Sequence, residues 1–112
     1  MGFYMIQGCY TQPAIMKNLV ARPENRSKAG GALVKALGGK LHQYFVSFGE
    51  YDFVAIVELP DDQAAAATSM ALGAAGHLTG VKTTKLMTGV EAMAAMAAAG
   101  GAAATLAVPK GK

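Results

Sequence analysis

Two hydrophobic rhythms alternate along the chain. Residues 3–10, FYMIQGCY, are rich in aromatic and aliphatic side chains and break at Thr11-Gln12-Pro13, which predicts a first strand. Thr11 as N-cap and Pro13 in the first turn then predict a short helix to about Ala21. Pro23 imposes a boundary, because the residue before a proline avoids helical angles. It also suits the start of a second helical piece, PENRSKAGGALVKAL, where Ala29, Ala32, Leu33, Ala36 and Leu37 recur at helical spacing. Gly30-Gly31 weakens that helix, for close packing on a sheet or for a ligand approaching the backbone. Gly38-Gly39 stops it.

From Lys40 the period shortens. KLHQYFVSF and YDFVAIVEL predict the second and third strands, joined at Gly49-Glu50 by a two-residue type II′ turn with glycine first. Pro60-Asp61-Asp62 opens the next helix, its acids placed for the N-terminal dipole, and Gly76 closes it. VKTTKLM, residues 81–87, predicts the last strand. Thr88-Gly89-Val90-Glu91 reads as a capping box before an alanine- and methionine-rich helix, and GGAAATLAVPKGK reads as a loose tail.

The order β-α-β-β-α-β plus a C-terminal helix predicts an α+β fold of ferredoxin-like type, with an antiparallel four-stranded sheet. Residues 1–88 make the domain, and residues 89–112 the alanine-rich helix and tail. Both helices should cover one sheet face. The strands are apolar on both sides, so a second copy of the chain is expected on the other face.

Composition changes this picture little. With 112 residues the chain is a single domain, 53% hydrophobic but only 7% aromatic and without tryptophan, so its core must be largely aliphatic. The ten basic residues against seven acidic ones give a net charge of +3, and they are scattered. Without a basic block or arm, no nucleic-acid partner is expected. Cys9 is the single cysteine, so no intrachain disulfide forms; within a strand it reads as a buried, inert thiol. No signal-peptide pattern is visible, and residues 89–108 are too alanine- and glycine-rich, and too interrupted by Glu91 and Gly100-Gly101, to span a bilayer. The reading is a cytoplasmic protein without a membrane partner.

The hairpin concentrates the candidate chemistry. A two-residue turn would pair Ser47 with Asp52 and Val46 with Phe53. His42, Tyr44, Val46, Phe48, Tyr51, Phe53, Ala55 and Val57 would then share one face. Gln43, Phe45, Ser47, Asp52, Val54, Ile56 and Glu58 would share the other, more polar one. The polar face suits a barrel interior or subunit interface holding a small ligand, while the apolar face suits the helices; a bulge at the turn would swap the two faces. Asp52 has two readings: a clamp accepting hydrogen bonds from backbone amides or Ser47, or a general base activated by burial. His42 is the other candidate base, and His77 can also titrate. Tyr51, Asp52, Ser47, Gln43 and Arg26 are the candidate ligand-binding residues, Arg26 as an anchor for a carboxylate. Neither a permanent metal site nor a cofactor is expected, because histidines and cysteine do not fall at ligand spacing.

GGKLHQYFVSFGEYDFVAIVELPDDQAAAA followed by GHLTGVKTTKLM resembles the GYD-domain family, whose glycine-tyrosine-aspartate signature stands here as Gly49, Tyr51 and Asp52. The resemblance runs from about Tyr4 to Met87 and takes in Arg26, Gly38-Gly39 and Asp61-Asp62. It implies a dimeric α/β barrel, in which two ferredoxin-like sheets pair face to face. It implies no single activity: similar-looking relatives include cofactor-independent monooxygenases, lactone isomerases, haem-degrading enzymes and amino-acid-sensing domains. Three functions follow. The first is a homo-oligomer binding a small metabolite between sheet and helices or at the subunit interface. The second is a cofactor-independent monooxygenase or isomerase acting on a small activated carbonyl compound. The third is a structural assembly subunit.

Overall fold

Period-two alternation in the two central strands decides which way the sheet faces. In β1 (Gly2–Tyr10) and β3 (Phe53–Leu59), Tyr4, Ile6, Phe53, Ala55, Val57 and Leu59 are all buried. Their neighbours Phe3, Met5, Val54 and Ile56 point the other way and stay half-exposed. The computed structural model describes residues 1–110; Gly111 and Lys112, the end of the expected tail, lie outside the described residues. The remaining elements are α1 (Pro13–Ala21), α2 (Ser27–Ala36), β2 (Lys40–Val46), α3 (Asp62–Ala74), β4 (Leu78–Leu86) and α4 (Gly89–Ala103). The four strands form one sheet in the order β2-β3-β1-β4, every neighbouring pair antiparallel. This mixed α/β architecture is compatible with the expected ferredoxin-like pattern.

Helices α2 and α3 cover the buried face. α2 buries Val34 and half-buries Gly30 and Leu33, with Leu37 just past its end half-buried as well. The packed stripe is therefore rotated from the expected one: Ala29, Ala32 and Ala36 stay exposed, and the larger side chains take the contact. The helix also starts later than expected, at Ser27, since Pro23-Glu24-Asn25 is not helical and the Asn25 side chain holds the Ser27 amide at 3.0 Å. Gly38 ends α2 at φ +84°, a left-handed conformation that favours glycine. α3 is capped by Asp61, whose Oδ1 accepts from the Ala64 amide at 2.8 Å. It is tied to β4 by a hydrogen bond between Ser69 and Thr83.

The hairpin departs from the two-residue turn. The Ser47–Asp52 and Val46–Phe53 pairings hold, with the Ser47 amide donating to the Asp52 carbonyl at 2.9 Å. Beyond them the chain opens into a wider loop. Gly49 does not take the positive φ that a type II′ turn demands, which among the described residues only Gly38, Gly76 and Gly80 adopt. The loop residues bond elsewhere: Ser47 Oγ donates to the Tyr51 carbonyl at 2.6 Å, and the Asp52 amide to Gly8 of β1 at 2.9 Å.

A second departure lies at the other end of β2. Leu41 pairs with Val57 and Gln43 with Ile56, so His42 occupies a bulge. His42 was expected beside Tyr44 on the helix-covered face. The bulge turns it instead onto the open face, against Glu58 and Phe3. A similar irregularity in β4, with Gly80 at φ +61°, lets that strand begin at Leu78, earlier than its apolar run indicates. Thr11 does not cap α1; its hydroxyl donates to the Gly76 carbonyl at 3.0 Å, and Gln12 stands at the N-cap without a side-chain bond.

The capping box that opens α4 is complete, with Thr88 Oγ1 accepting from the Glu91 amide at 3.1 Å and Glu91 Oε1 from the Thr88 amide at 2.9 Å. The helix continues through Gly100-Gly101 to Ala103, where a loose tail was expected. It buries none of its side chains. The radius of gyration is 18.3 Å, against about 13 Å for a compact chain of this length, as a projecting helix requires. Among the described residues no helix is long and apolar enough to cross a membrane.

Candidate functional site

Small side chains leave a hollow where the helices meet the sheet. Ala29 and Gly30 of α2 and Ala71 of α3, with Ala75 beyond its end, cannot fill the space above Ile6 and Phe53, and a cavity of about 260 Å³ results. Gly30 is instructive. A Cβ built on it would meet nothing within 4 Å, although a glycine inside a helix costs about 1 kcal/mol relative to alanine. Close packing on the sheet therefore does not explain this glycine; it adds to the room. Its neighbour Gly31 does face the sheet, with Leu41 at 3.7 Å from such a Cβ.

One end of the cavity is polar. Tyr10, Arg26 and His77 line both the cavity and an adjoining groove of about 370 Å³ beside α1, which also carries Asn18, Arg22 and Glu24. Arg26 is placed there by the start of α2, and Nη1 donates to Glu24 Oε1 at 2.6 Å. That hydrogen bond and the charge of Glu24 raise the guanidinium pKa further. Tyr44 lies stacked on Phe53, ring centroids 5.9 Å apart. Burial pushes its phenol up to about 12, Tyr10 adding to the shift, so Tyr44 is a hydroxyl donor at neutral pH.

The residues picked from the hairpin do not converge on this cavity. Of the candidates named from the sequence, only Arg26 and His77, neither in the hairpin, line it. Asp52 Oδ2 accepts the Tyr10 backbone amide at 2.8 Å, while the Asp52 amide itself donates to Gly8; the residue thus joins the hairpin to the end of β1. Ser47 and Tyr51 are bonded to each other inside the loop, and Gln43 is exposed on the open face. His42 Nε2 lies 2.9 Å from Glu58 Oε1, also on the open face. Cys9 is half-buried rather than buried, its thiol donating to the Glu50 carbonyl at 3.3 Å.

Asp52→Asn tests the clamp. The amide keeps the shape but replaces a charge-assisted bond with a weaker one, and its NH2 cannot accept from Tyr10. A stability loss of about 1–3 kcal/mol is expected by denaturant titration. An unchanged or raised melting temperature would refute the clamp.

Sequence reasoning missed Tyr10 and Tyr44, which looked like ordinary strand aromatics, and a charged cluster at the opposite end of the sheet. There the Tyr4 hydroxyl donates to Asp62 Oδ1 at 2.5 Å, and Lys85 Nζ donates to the Tyr4 oxygen at 3.2 Å and lies 3.7 Å from Asp62. The bond from Tyr4, then the Lys85 charge, lower the Asp62 pKa. Tyr4 is raised, chiefly by Asp62, and Lys85 is raised, chiefly by its bond to Tyr4. The signs set the window. Asp62 contributes stability above the ordinary carboxylate range, lost as pH falls through its lowered pKa; Tyr4 and Lys85 contribute below the ordinary phenol and ammonium ranges, lost as pH rises. The Tm of the wild type should therefore fall more steeply below about pH 4 than that of Asp62→Asn. Because the Asp62 side chain is 86% exposed, the difference should be small and should shrink in high salt. Parallel acid profiles would refute the linkage.

Comparison with known proteins adds one finding. The family model described as the GYD domain matches residues 4–100. The match passes Met87, where the resemblance read from the sequence stops, and takes in most of α4. No curated protein matches the chain.

Proposed function

The chain belongs to the GYD domain family, and from that premise we propose a homo-oligomeric module that binds a small metabolite in the cavity between α2, α3 and the sheet. The observation that carries this reading is the cavity itself: apolar walls, a glycine beside open space, and Tyr10, Arg26 and His77 gathered at one end. A few convergent polar groups on an apolar pocket are the usual form of a small-molecule site.

The oligomer is supported by what the single chain leaves uncovered. Phe3, Met5, Val54 and Ile56 lie together on the open face, with Phe45 56% exposed beside them. Such a face on a ferredoxin-like unit fits a second sheet packed against it, the dimeric α/β-barrel arrangement. α4 points the same way, since a helix of 15 residues with no buried side chain is marginal alone. Its exposed Val90, Met93 and Met96 suit a neighbouring subunit.

Catalysis by Asp52 or His42, as a monooxygenase or isomerase would need, has less behind it. The carboxylate of Asp52 is engaged with the β1 backbone, and His42 pairs with Glu58 on the far side of the sheet from the cavity. A native mass spectrum of freshly purified protein tests the proposal. A dimer or larger homo-oligomer carrying a retained small molecule is the expected result; a bare monomer at micromolar concentration would overturn it.

A further inference from the structure

We propose that the ligand of this cavity is a small apolar carboxylic acid, its carboxylate received by Arg26 and its hydrocarbon end enclosed by α2, α3 and the sheet. This deepens the binding reading above and rests on it.

Size sets the first limit. A cavity of about 150 Å³ holds benzene, and this one, at about 260 Å³, has room for a ring with a short chain. The walls set the second: Ile6, Leu33, Val34, Phe53 and Leu72 offer the body of the ligand no polar partner, and the hydroxyl of Thr68 among them is already donated to the Ala64 carbonyl at 2.9 Å.

Charge sets the third. Arg22 and Arg26 stand against the single acid Glu24 in the groove beside the polar end. Arg26 has only Nη1 engaged with protein among the described residues, out of about five N–H donors. A ligand that expels water from this end while offering no acceptor would leave those donors unpaired, and a cation would meet two guanidinium groups. A carboxylate takes two N–H bonds from one guanidinium in parallel. Tyr10 and Tyr44, lining the same cavity, supply hydroxyls alongside. Both oxygens of the acid can thus be satisfied at the end where Arg26 stands.

The test compares 4-phenylbutyrate with its uncharged twin 4-phenylbutan-1-ol at pH 7, following backbone amide NMR shifts. The acid is expected to bind about tenfold more tightly than the alcohol, the worth of one charge-assisted contact. It should perturb the amides of Gly30 and Ala71. Arg26→Gln should remove that preference, bringing the affinity for the acid down to about that for the alcohol. Gly30→Leu, which fills open space, should abolish binding of both with the circular dichroism spectrum retained. Equal affinity for acid and alcohol, or a preference that survives in Arg26→Gln, overturns the inference and leaves the cavity reading standing. Binding of neither probe, or of both undiminished in Gly30→Leu, overturns the inference together with the cavity reading.

Discussion

Replacing Gly39 with alanine should lower the melting temperature by roughly 10 °C, the equivalent of about 2–3 kcal/mol in a chain of this size. Gly39 does not need a left-handed backbone; it needs the absence of a side chain. A Cβ there would run into the carbonyl oxygen of Glu58 and the Leu59 side chain, and would stand 3.0 Å from Val34 Cγ1. Two of these are hard to move. The Glu58 carbonyl belongs to β3, which is paired on both edges, and Leu59 is completely buried. The collision also falls where α2 hands over to β2, with the Gly39 amide donating to the Val34 carbonyl at 2.9 Å. Relief would require the helix end to lift from the sheet. Gly73→Ala is the control: it adds a methyl to α3 with nothing within 4 Å, so its Tm should hold or rise slightly. A Gly39→Ala protein that melts with the wild type would show that the approach of α2 to β3 is looser than described.

Elements announced by strong local chemistry were legible in the sequence. Pro13, the Pro60-Asp61-Asp62 start, the Gly38 and Gly76 stops and the Thr88–Glu91 box each impose a backbone geometry through a few residues, and the structure places helix ends at them. The face of the central strands was legible too, because period two leaves no choice once Phe53, Ala55 and Val57 must all be buried. Features decided by distant parts of the chain were not. The loop after Val46 stays wide because its residues bond to one another and to Gly8, a contact no local pattern announces. His42 changes face through a bulge whose cause lies in the pairing of β2 with β3.

The candidate site was read least well, and for a related reason. Cavities arise from what side chains fail to fill, so Gly30, Ala71 and Ala75 define this one by being small, which a sequence shows only as weak helix. Arg26 was singled out as a carboxylate anchor. Tyr10, Tyr44 and His77 join it only because β1, β2 and the turn before β4 end near the start of α2. Asp52, the residue most conspicuous in the sequence, does not line the cavity; its carboxylate holds the backbone amide of Tyr10, which does.

Placing a charge at the centre of the open sheet face should have the largest effect on the proposed assembly. Ile56 lies on β3, paired with Met5 of β1 and Gln43 of β2, and its side chain points away from the helices. Ile56→Lys therefore leaves the core of the single chain, from Tyr4 to Ala65, without a new contact. In a face-to-face dimer the same lysine would lie in the middle of an apolar interface, without a counter-charge. Leaving a charge buried and unpaired there costs several kcal/mol, enough to weaken association by a factor of about a thousand. The variant should run as a monomer in sedimentation velocity at micromolar concentration, while its circular dichroism spectrum matches the wild type. Phe48→Lys, at a fully exposed side chain of the hairpin loop, should leave the proposed assembly intact and so separates a specific contact from a general loss of hydrophobic surface. If Ile56→Lys sediments with the wild-type oligomer, the open face is not the contact between subunits, and the face-to-face pairing of sheets is wrong.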